Sequence, residues 1–74
     1  MKAWLKWLAN TDYKFTVEHK EADECRIYDF GNGLIVYKWE HKNGGLVYDN
    51  HYQISCGSVK QLAGVIDRII ADRI

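Results

Sequence analysis

At 74 residues the chain is long enough for one domain and too short for two. Hydrophobic residues make up 47% of it and there is no proline, which excludes a disordered segment. The formal net charge is zero, which argues against broad electrostatic binding to nucleic acid or to an anionic membrane. The charge is unevenly spread, however. Between Asp12 and Asp29 there are six acids (Asp12, Glu18, Glu21, Asp23, Glu24, Asp29) and three bases (Lys14, Lys20, Arg26), a local net of −3. Aromatic residues reach 14%, more than a core this small needs, so some rings are expected at the surface.

Residues 1–10 read as a short helix. Trp4, Leu5 and Leu8 share one side with Trp7 beside them, and Lys2 and Lys6 lie opposite. Asn10-Thr11-Asp12 ends it. Tyr13, Phe15, Val17 and His19 then alternate with Lys14, Thr16, Glu18 and Lys20, the period of a half-buried strand. Glu21-Ala22-Asp23 is a polar turn, and residues 25–30 form a second strand. Gly31-Asn32-Gly33 turns into a third strand over residues 34–41, and Lys42-Asn43-Gly44-Gly45 turns again. A fourth strand runs from Leu46 to about Ser55. Its expected faces are Leu46, Tyr48, Tyr52, Ile54 and Cys56 against Val47, Asp49, His51 and Gln53.

The final segment, residues 58–74, carries Val59, Leu62, Ala63, Ile66, Ile69, Ile70 and Arg73 at helical spacing. Ser58 three residues before Gln61 fits a capping box. The expected fold class is α+β: a four-stranded antiparallel β-meander over residues 13–56, packed by a C-terminal amphipathic helix, with a short N-terminal helix. Two registers are open. One turns Tyr28, Phe30 and Val36 away from the core, the other Tyr37 and Trp39. Either leaves rings to be covered by Trp4 and Trp7 of the first helix or by a partner.

No catalytic motif is present, and the expectation is a non-enzymatic chain without cofactor or metal. The glycine-rich turns do not precede a helix, as a phosphate loop would. His19, His41 and His51 lack a short ligand motif, although His41 and His51 with Asp49 make a conceivable cluster across the hairpin. Cys25 and Cys56 have no metal-type spacing and read as free, buried and reduced, with a cross-strand disulfide as the alternative. Neither a signal peptide nor a membrane-spanning run is apparent, so the expected location is the cytoplasm.

In size, architecture and lack of catalytic motifs the chain resembles the small phage-encoded inhibitors of host defence, such as anti-CRISPR proteins. That resemblance implies a protein-binding module that blocks a host protein or mimics nucleic acid with acidic side chains. The candidate partner-binding residues are Glu18, Glu21, Asp23, Glu24, Asp29, Tyr28, Tyr37 and Trp39. An alternative rests on the order from Cys25 onward: strand, Asp29-Phe30-turn-Gly33, strand, long hairpin, Ile54-Ser55, helix. This is similar to the PC4-like single-strand DNA-binding proteins, which are dimers with a four-stranded sheet and a C-terminal helix. The resemblance implies base stacking on Tyr28, Tyr37, Trp39 and Tyr52, with Lys38, Lys42 and Arg26 on phosphates. A homodimer is compatible with both readings, with Trp4, Trp7, Ile69 and Ile70 as candidate contacts.

Overall fold

The computed structural model describes residues 2–73. Met1 and Ile74, placed by the sequence at the outer ends of the two helices, lie outside the described residues. Two helices and five strands follow in the order α1 (Lys2–Asn10), β1 (Thr16–Lys20), a 3-10 turn (Glu21–Asp23), β2 (Cys25–Gly31), β3 (Leu34–Trp39), β4 (Gly45–Asp49), β5 (Tyr52–Cys56) and α2 (Val59–Asp72). The strands form a single antiparallel meander in chain order, so the class is α+β.

The sheet has five strands where four were expected. Asn50 takes a left-handed φ of 55° and donates its N–H to Gly33 O at 3.0 Å. Asn is among the few non-glycine residues that adopt this conformation at low cost. Asn50-His51 is therefore a two-residue turn, and Asp49 pairs with Tyr52 across it. The turn exchanges the faces of everything after it. Gln53 and Ser55 join Leu46 and Tyr48, while Tyr52, Ile54 and Cys56 join Val47 and Asp49.

The first strand is also shorter than expected. Tyr13 and Phe15 precede it and pack their rings on the core instead of pairing. Tyr13 Oη donates to Asp67 Oδ1 of α2 at 2.7 Å. Gly45, expected in a turn, opens β4, where a Cβ would meet the Tyr37 carbonyl oxygen at 2.3 Å.

Both helices lie on one face of the sheet. Their buried residues, Trp4 and Leu8 from α1 and Leu62 and Ile66 from α2, join Tyr28, Leu34, Val36, Val47 and Cys56 in a single core. Spacings of four residues place each helical pair on one stripe. Trp4 stacks on Trp7 at 5.3 Å and meets Tyr28 edge-on at 5.2 Å. The Ser58 cap forms, with its Oγ accepting from Gln61 N at 3.2 Å, while the Gln61 side chain reaches one residue further back than a capping box requires and accepts from Gly57 N at 2.6 Å. At the other end of α2, Arg73 pairs with Asp49 of β4 and reaches the Gly31 carbonyl.

The buried Tyr28 hydroxyl and Trp4 indole N–H have no hydrogen-bond partner. Tyr28→Phe removes an unsatisfied group and is expected to leave stability unchanged or to raise it. Leu62→Ala empties a fully buried site and is expected to cost about 2–5 kcal/mol. Urea denaturation monitored by circular dichroism checks both, and a Tyr28→Phe loss as large as that of Leu62→Ala would contradict this core.

Candidate functional site

The face opposite the helices carries three cross-strand rows. Glu18, Ile27, Tyr37, Leu46 and Ser55 form one. Thr16, Asp29, Ile35, Tyr48 and Gln53 form the second, and Lys20, Cys25 and Trp39 the third. Ile27, Ile35, Tyr37, Trp39, Leu46 and Tyr48 are half-buried, and none of them belongs to the helix-covered core. They shield one another along the sheet, and no helix lies over them.

The rings among them are ordered. Tyr37 and Trp39, two residues apart on β3, stack at 6.2 Å. Tyr48, the diagonal neighbour of Tyr37 on β4, meets it edge-on at 5.1 Å. Such aromatic contacts along and across strands hold side chains in place without a covering layer. Lys42 Nζ lies 5.1 Å from the Trp39 ring, within cation–π range. A shallow depression of 430 Å³ lies between Ile35, Tyr37, Tyr48 and His51.

The residues singled out from sequence are divided by the fold. Tyr37 and Trp39 lie on this face, which settles the register in their favour. Glu18 and Asp29 lie on its β1–β2 flank; Asp29 Oδ1 accepts from Gly31 N at 2.8 Å. Glu21, Asp23 and Glu24 sit instead on and beside the 3-10 turn, all exposed. Tyr28 is not on the partner face: it is 1% exposed, enclosed by Trp4 and Phe15. Trp4, expected at a dimer contact, is 0% exposed for the same reason. Trp7, Ile69 and Ile70 are half-buried at the edge of the helical layer.

The basic residues are divided too. Arg26 and Lys38 pair across β2 and β3 on the helix side. Lys38 is fully buried; its ammonium donates to Trp39 O at 2.8 Å and to Lys42 O, and burial lowers its pKa. Tyr52 is exposed on the edge strand, away from the aromatic cluster.

The histidines do not converge. His41 Nε2 lies 2.6 Å from Glu24 Oε2 at one end of the sheet, while His51 occupies the turn at the opposite end. Glu40 joins Glu24 and His41 in an exposed group with ligand atoms within 4.8 Å of one another. The backbone bond from Glu40 N to Glu24 O, 3.0 Å, brings these two loops together. Among the described residues no helix is long and apolar enough to cross a membrane.

Sequence reasoning missed Ile27, Ile35, Leu46 and Tyr48 as members of this face. The signal was present in the continuous apolar run Leu34-Ile35-Val36-Tyr37, which marks a central strand apolar on both sides. Compared with protein-family models, curated proteins and solved structures, the chain matches none.

Cys25 and Cys56 are free and buried. They lie on opposite faces of the sheet, on β2 and β5, which rules out a bond between them in this fold. Burial raises the pKa of both thiols, so the nucleophilic thiolate is scarce at neutral pH. At pH 8 both are expected to react with an aromatic disulfide reagent at least about tenfold more slowly than free cysteine. The rate should rise with pH above the ordinary thiol range and reach the free value in urea. Rapid reaction of either thiol in the native protein at pH 8 would contradict its burial.

Proposed function

We propose that this chain is a small non-enzymatic protein-binding module that seats a partner protein on the open face of its sheet. One observation carries the reading: six large apolar or aromatic side chains lie side by side on a face that neither helix covers. A contiguous apolar surface with aromatic anchors and a polar rim is the usual anatomy of a protein interface. Tyr37, Trp39 and Tyr48 are the anchors. Glu18, Asp29, Gln53 and Ser55 form the rim, with Lys20 and Lys42 at the Trp39 end.

Inhibitors of the phage-encoded kind work either by occupying a surface of a target protein or by imitating nucleic acid. The placement of the acids favours the first. Glu18 and Asp29 flank an apolar centre, and Glu24 is engaged by His41. These carboxylates do not line up as a phosphate backbone does.

Single-stranded nucleic acid is the second reading, favoured by the stacked pair Tyr37 and Trp39 with Lys42 beside it. Four of the groups it needs are elsewhere: Tyr28 and Lys38 are buried, and Arg26 and Tyr52 are on the helix side. The two carboxylates on the open face also oppose a phosphate chain.

The test is capture from the extract of the native host by the tagged chain, with and without nuclease, repeated with a Tyr37→Ala/Trp39→Ala variant and a Tyr52→Ala control. The expected result is a stoichiometric protein that survives nuclease, keeps binding the control, and binds the double variant at least roughly 30-fold more weakly. Capture abolished by nuclease, with salt-sensitive quenching of Trp fluorescence by an oligonucleotide, would replace this reading with the nucleic-acid one.

A further inference from the structure

The two edges of the sheet differ in a way that bears on self-association. The β1 edge, Thr16-Val17-Glu18-His19-Lys20, is charged. The β5 edge, Tyr52-Gln53-Ile54-Ser55-Cys56, has no charged residue and no proline, and only Cys56 of the five is buried. Tyr52 is 72% exposed and Ile54 37%. Edge strands are ordinarily protected by charge, proline, bulges or covering elements. β1 has charge; β5 lacks it.

The direction of the free backbone groups on β5 follows from the ladder. Asn50 N bonds to Gly33 O, so Asn50 faces β3. Antiparallel alternation then turns Asp49, Val47 and Gly45 toward β5. Their partners Tyr52, Ile54 and Cys56 face β4, which leaves the N–H and C=O of Gln53 and Ser55 pointing outward.

We propose that two copies of this chain pair antiparallel through β5, with the two-fold axis at Ile54, to make one continuous ten-stranded sheet. The register is self-complementary. Gln53 of each copy lies opposite Ser55 of the other, so the outward backbone groups satisfy one another in about four hydrogen bonds. Ile54 lies against Ile54 at the close, non-hydrogen-bonded position, and Tyr52 lies over Cys56. The same operation at β1 would set Glu18 against Glu18, a destabilising like-charge pair. The axis is perpendicular to the sheet, so both helical layers fall on one side and both open faces on the other. The pairing is independent of what the open face binds. It joins two short strands, so a modest affinity is expected.

The measurement is solution mass by light scattering or sedimentation from about 10 to about 500 μM, a range suited to a small interface. The wild-type mass should rise toward twice that of the chain. Ile54→Lys sets two ammonium groups face to face and should weaken the dimer about tenfold or more. Glu18→Lys should leave it unchanged, with circular dichroism confirming the fold of both variants. Ile54→Cys supplies a check that does not require loss of function. Opposite Cα atoms about 4.5 Å apart suit a disulfide, so mild oxidation should yield a covalent dimer. A wild-type chain that stays monomeric across the range overturns the proposal. So does a dimer that resists Ile54→Lys, gives no Ile54→Cys cross-link and is lost in Trp39→Ala, which would place the second copy on the open face.

Discussion

Leu62 and Ile66 lie one turn apart on α2, and both are completely buried with Val36 of β3 and Val47 of β4. The rest of the molecule depends on this contact. It fixes which face of the meander is covered, and α1 joins α2 on that same face by inserting Trp4 and Leu8 beside Tyr28. Two helices of 9 and 14 residues are then committed to one side. No element of the described chain is left to cover the other. A central strand such as β3, apolar at every position but Lys38, has one of its two sides satisfied by packing and the other only by its lateral neighbours.

That imbalance explains the order within the open face. Its aromatic side chains contact one another instead of a covering layer, through the Tyr37–Trp39 stack and the edge contact of Tyr48. Lys38 links the two sides of β3. Its buried ammonium holds the carbonyl of Lys42, and the Lys42 ammonium in turn lies by Trp39 on the opposite face. The cost of desolvating Lys38 is offset by its two carbonyl partners, and the loop after β3 is thereby ordered. At the other end of the sheet the Arg73–Asp49 pair ties the last turn of α2 to β4. Both ends of the open face are thus braced from the helix side, a rigid platform of the kind that limits the entropy lost when a partner docks.

The amino-acid pattern alone determined the α+β class, the meander topology, both helices with the Ser58 cap of α2, and the alternation that turns Val17 and His19 away from Glu18 and Lys20. These are local: periodicity of 3.6 or 2, a capping serine, a turn between short strands. The tertiary structure decided three things. It made Asn50-His51 a turn, because the bond from Asn50 N to Gly33 O comes from a neighbouring strand that no local window contains. It buried Tyr28 and left Tyr37 half-buried on the uncovered face, because both helices settled on the same face and an alternating strand looks alike from either side until something covers it. It also divided the acidic run, sending Glu18 and Asp29 to the open face and Glu21, Asp23 and Glu24 to the turn, since residues adjacent in sequence part wherever a strand ends.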